Sequence, residues 1–121
     1  MTAPPARHSF EWEDANGVAI VRFITKLLRD DRIIRDLFDQ LDRQLVQAGR
    51  TKMVINFAGL EAFASYAIGK LIALNDKLRG LGGRLALCEL VPMVDEIIDV
   101  MGLRKRFAIY ASEREALESF A

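Results

Sequence analysis

The stretch EAFASYAIGKL, from Glu61 to Leu71, places one hydroxyl where an apolar run gives way to helical spacing. Ser65 could do three kinds of work there. It could cap the helix, because a serine Oγ accepts a bond from an unpaired N–H of the first turn. It could carry a phosphoryl group, since those N–H groups and the helix dipole favour negative charge. It could act as a nucleophile if a base stood beside it. The only histidine, His8, lies near the N-terminus, so a Ser–His pair would need that segment folded back over the body.

Other reactive residues offer less. Asp36, Asp39, Asp42, Asp95, Glu96 and Asp99 fall on solvated helix faces, and no two stand out as an acid and base pair. The glycines of Gly80 to Gly83 (GLGG) follow a helix and precede a strand, whereas phosphate-binding loops run strand, loop, helix. They read as a helix stop and turn. Cys88 is the sole cysteine, which excludes an intrachain disulfide and a cysteine metal cage, and within LALCEL it reads as core. Arg104 to Arg106 (RKR) reads as a solvated loop able to meet an acidic partner or a phosphate. No cofactor or metal site follows from these residues.

The elements that must position Ser65 are legible from spacing. FEWEDANGVAIVRF turns at Asn16-Gly17 between two strand-like runs, a hairpin signal because both residues tolerate positive φ. Ile34, Leu37, Phe38, Leu41, Leu45 and Ala48 recur at helical spacing, with Asp30 or Asp31 as cap and Gly49 as stop. KMVINF is a short apolar run suited to a strand buried on both faces. After Ser65, a stripe of Ala67, Leu71, Leu74, Leu78 and Leu81 predicts a second helix, in which Gly69 allows close packing on the sheet. RLALCEL gives another buried strand. Pro92 opens a third helix bearing an apolar stripe of Met93, Ile97, Val100 and Met101, which Gly102 stops. RFAIY is a last strand, and Ser112 with Glu115 makes a capping box before a final helix.

The order β-β-α-β-α-β-α-β-α predicts an α/β fold. A mixed sheet, with an antiparallel hairpin and parallel strands, is flanked by about four helices. The 121 residues suffice for one domain with a real core, and 51% are hydrophobic. Seventeen basic and seventeen acidic residues cancel, which argues against nonspecific binding to nucleic acid or a membrane surface. Residues 1–9 carry two prolines and no apolar core, so they read as a disordered lead, neither signal peptide nor membrane span. The expectation is a domain over residues 10–121 in the cytoplasm. Leu60, Phe63 and Tyr66 have little room for burial between strand and helix, and are expected to form an exposed apolar patch.

Three segments carry a family likeness: MVINFAGLEAFASYAIGKL, GGRLALCELVPMVDEIIDVMGL and FAIYASEREAL. Together they resemble the STAS domain of bacterial anti-sigma factor antagonists. The resemblance implies a protein that binds an anti-sigma factor, often a serine kinase, and thereby releases a sigma factor for transcription. It implies that the kinase phosphorylates a residue at the start of the helix after the third strand, which here is Ser65. It also implies a partner surface of Leu60, Phe63, Ala64, Ser65, Tyr66 and Lys70, and leaves a homodimer open. The chain keeps Gly69 of the family pattern but departs from it at Ala67, which replaces a Gly, at Ile68, which stands for Leu, and at two acidic positions. Ala64 stands where the family has Asp, and Asn56 where an acid is common. Two other readings remain: a STAS scaffold or subunit of a signalling or lipid-transport complex without phosphorylation, and a small enzyme with Ser65 as nucleophile.

Overall fold

The computed structural model describes residues 10–121; the lead expected at residues 1–9, with His8, lies outside the described residues. The chain runs β1 (Phe10–Ala15), β2 (Val18–Phe23), β3 (Leu27–Leu28), α1 (Asp31–Leu41), β4 (Lys52–Asn56), β5 (Ala62–Phe63) and α2 (Ser65–Gly80). It continues through β6 (Arg84–Cys88), α3 (Pro92–Val100), β7 (Ala108–Tyr110) and α4 (Glu113–Glu118). The main sheet has the order β1-β2-β4-β6-β7, with only β1 antiparallel to its neighbour. Asn16 and Gly17 turn the hairpin with φ of 52° and 87°, as its sequence predicts.

Strand alternation divides the interior in two. Ala19, Val21, Phe23, Met53, Ile55, Leu85 and Leu87 face the larger core, shared with α1, α2 and α3. Val18, Val54, Ala86 and Cys88 point the other way and are covered by Ala116 of α4. Val54, Ile55, Leu71, Leu74, Leu85 and Leu87 are all buried, as expected for this register. The Cys88 thiol is inside as well, and burial pushes its pKa up to about 12, which suppresses its reactivity.

Several local expectations are corrected. Helix α1, capped by Asp30 accepting from the Arg32 N–H at 2.8 Å, widens into a π-turn over Asp42–Val46. The extra residue per turn rotates the stripe, so Leu45 and Val46 are buried and Ala48 is left exposed. Leu81 lies beyond α2 and is also exposed. The apolar stripe on α3 exists but turns mostly outward: Val94 and Ile98 enter the core and Ile97 packs half-buried against it, while Met93, Val100 and Met101 meet solvent. Gly69 is exposed, and a Cβ there would meet nothing within 4 Å, so it is not a packing requirement. The close approach occurs at Gly83 instead, where a Cβ would lie 1.9 Å from the Thr51 carbonyl oxygen.

Candidate functional site

The segment between β4 and α2 is built downward before it presents anything upward. Asn56 Oδ1 accepts from the Ala58 N–H at 2.8 Å, starting a turn that Gly59 completes at φ 87°. Phe57 is fully buried and makes edge-to-face contacts with Phe23 and Phe63, at centroid separations of 5.4 and 5.6 Å. Strands β3 and β5 pair in parallel as a two-stranded ribbon, continued by the Ala64 N–H donating to the Leu28 carbonyl at 2.7 Å. The expected apolar patch is therefore overturned. Leu60 and Phe63 are only 2% and 4% exposed, because the ribbon folds the short segment back onto the core. Tyr66 is half-buried against that core. Leu60 and Phe63 hold the segment and do not form its outer face, whereas Tyr66 stays partly open to solvent.

Ser65 is exposed and is the first residue of α2. The N-cap position belongs to Ala64, whose φ of −74° and ψ of 154° suit a cap but whose methyl cannot accept a bond. Capping by Ser65 is thus corrected by one residue. No acid occupies the first turn of α2, so its positive end is not neutralised from within the helix. Lys70 Nζ lies 5.7 Å from the Tyr66 ring centroid. Arg35 stands beside the Tyr66 hydroxyl, and hydrogen bonding to that oxygen holds the guanidinium above the usual arginine value. Ala64, Ser65, Tyr66 and Lys70 are thus brought together at one helix start.

A second polar feature lies at the carboxyl ends of the central strands. Arg22 forks onto Glu113, with Nε–Oε1 at 2.9 Å and Nη2–Oε2 at 2.7 Å, and also reaches Glu13 at 2.5 Å. Asn56 Nδ2 donates to Glu89 and Glu113, each at 3.0 Å. Glu89 has φ of 53° and accepts from the Glu113 N–H at 3.2 Å. The Arg22 bonds, helped by Asn56 and opposed by burial, hold the Glu113 carboxyl below its ordinary value. Sequence reasoning singled out Asn56 alone among these five. Its signal was available: Arg22 is a charge inside an otherwise apolar strand, and such a charge needs a partner.

The triplet after α3 is largely engaged. Arg104 pairs with Asp95 and Asp99, and Arg106 with Asp76. Among the described residues, no group of three His, Cys, Asp or Glu side chains is placed to hold a metal ion.

Fold and site define a class: a small α/β domain whose mixed sheet delivers an exposed serine at a helix start. The chain belongs to the STAS domain family, whose sequence model matches residues 10–116. The anti-sigma F factor antagonist of Paenibacillus polymyxa is 29% identical over 108 residues, covering 88% of this chain and 90% of that protein. A solved anti-sigma-factor antagonist (STAS) domain protein from Planctomyces limnophilus has a TM-score of 0.80 at 20% identity, covering 91% of this chain and 96% of that one. The Bacillus cell fate determinant SpoIIAA, in its phosphorylated form, has a TM-score of 0.71 at 20% identity, covering 93% and 99% of the two chains. The two structural matches establish the shared fold.

Proposed function

We propose that this chain is an anti-sigma factor antagonist: it binds an anti-sigma factor, and phosphorylation of Ser65 by a serine-kinase partner breaks the complex. The observation that carries this reading is the placement of Ser65, exposed at the first position of a helix with no side-chain cap and no first-turn acid. A phosphate there meets unpaired N–H groups and the positive helix end, so the domain tolerates it without unfolding. The same phosphate brings about two negative charges to a surface shared with Tyr66 and Lys70, and a partner fitted to the unmodified surface loses affinity by repulsion and desolvation. Tyr66 and Lys70 are contact residues in this reading. Leu60, Phe63 and Ala64 support them from below.

One observation favours the rival reading, a constitutive binder. Ala64 offers no carboxylate or hydroxyl beside Ser65 to orient its Oγ or to help hold a metal during phosphoryl transfer. The experiment incubates the protein with its partner kinase and ATP and follows intact mass and complex formation together. One added phosphate on wild type, none on Ser65→Ala, and loss of the complex on phosphorylation are expected. A stable complex that never acquires phosphate would leave the constitutive binder.

A further inference from the structure

At the end of α2 far from Ser65 lies a solvent-open groove of about 510 Å³ that the switch reading does not use. Arg79 at the end of α2 and Lys105 and Arg106 in the loop before β7 line it, and no Asp or Glu does. We propose that this groove binds a small soluble anion carrying two or more phosphate groups.

The cations are held there by construction. Asn75 is only 2% exposed, a buried polar residue in mid-helix, and its Nδ2 donates to the Arg106 carbonyl at 3.2 Å. That bond ties the loop to α2 and so brings Lys105 and Arg106 near Arg79. Leu103 and Phe107 anchor the loop at either side by burial, and Arg104 is fastened to Asp95 and Asp99. Arg106 is partly compensated by Asp76 at 2.9 Å. Arg79 and Lys105 have no carboxylate within 4.0 Å among the described residues, and residues 1–9 contain no Asp or Glu. Arg84 also borders the groove, but its guanidinium is bound to Ser119 and stacked over Phe120 at 4.1 Å. In a chain with as many acids as bases, this leaves a local positive excess in a concave surface.

The geometry favours several phosphates over one. A single exposed ion pair is worth at most about 1 kcal/mol, so one monoanion on one cation would barely bind. A linked set of phosphates can meet Arg79, Lys105 and Arg106 together, with guanidinium forks and an ammonium suited to phosphate oxygens. The groove lies roughly 20 Å from Ser65 along α2, so its ligand need not touch the partner surface.

The test is an NMR titration of the ¹⁵N-labelled protein with sodium tripolyphosphate at low ionic strength. Saturable shifts confined to the amides of Gly82, Gly83 and residues 105–108 are expected, with inorganic phosphate binding at least about tenfold more weakly. The double variant Arg79→Gln/Lys105→Gln should bind tripolyphosphate at least about tenfold more weakly with an otherwise unchanged spectrum. Lys26→Gln, an equal loss of charge per residue elsewhere on the surface, should stay within about twofold. Shifts that do not saturate, or unchanged affinity in the double variant, would overturn the proposal. An equal loss in Lys26→Gln would do so too, since it would reduce the binding to net charge.

Discussion

Ala64 occupies a cap position with a side chain that cannot cap, and this separates two roles that a helix-start serine often combines. Ala64→Asp supplies the missing acceptor and should raise stability by about 0.5–2 kcal/mol in urea melts. Ser65→Ala, one position inside the helix, should change stability by less than about 0.5 kcal/mol. A larger loss would show that Ser65 holds the helix start after all. Glu113 gives a residue-scale prediction tied to pH. Its carboxyl is held below the ordinary value of 4.5, chiefly by Arg22. A depressed carboxylate contributes stability above its unfolded pKa and loses it as pH falls through the folded value. Glu113→Gln should therefore cost about 1–3 kcal/mol at pH 7, with Arg22 left to the more exposed Glu13. The gap between wild type and variant should narrow as pH falls below about 4. A constant gap from pH 7 to pH 3 would mean that the charge of Glu113 contributes nothing.

At the scale of elements, the sequence was most legible where period and burial coincide. The hairpin at Asn16-Gly17, the apolar runs of β4 and β6, and the inward stripe of α2 required only local patterning. What escaped was set by long-range pairing. The two-residue strands β3 and β5 are too short to leave a period, yet their pairing buries Leu60 and Phe63 and so decides what surrounds Ser65. The stripe of Met93, Val100 and Met101 has correct helical spacing, but spacing alone does not say which of two apolar faces turns inward. Glycines show the same limit. Gly69→Ala should stabilise by about 0.5–1 kcal/mol, because the methyl meets open space on a helix. Gly83→Ala should destabilise by more than about 2 kcal/mol, because backbone at Thr51 must move to admit the new Cβ. Thermal melts of the two variants should shift in opposite directions, and shifts of the same sign would place the close approach elsewhere.

Across the whole molecule, α3 presents its outward apolar stripe on the same side of the sheet as α2, and it packs beside β5, the strand that leads into Ser65. Met93 is 37% exposed near the start of α3, at the strand end that carries Ser65, whereas Val100 is 79% exposed at the opposite end of the helix. If the anti-sigma partner docks around Ser65, the two residues should differ in effect even though Val100 is the more exposed. Met93→Glu and Val100→Lys test this, each placing a charge that suits the nearby helix dipole. Both should alter stability by no more than about 0.5 kcal/mol, since neither side chain is part of the core. Partner affinity, measured by titration calorimetry on the unphosphorylated protein, should fall more than about tenfold for Met93→Glu and less than about threefold for Val100→Lys. A reversed order would move the docking surface toward the far end of α3. Phosphate at Ser65 would then act on partner binding through a change of shape, without charge meeting the partner directly.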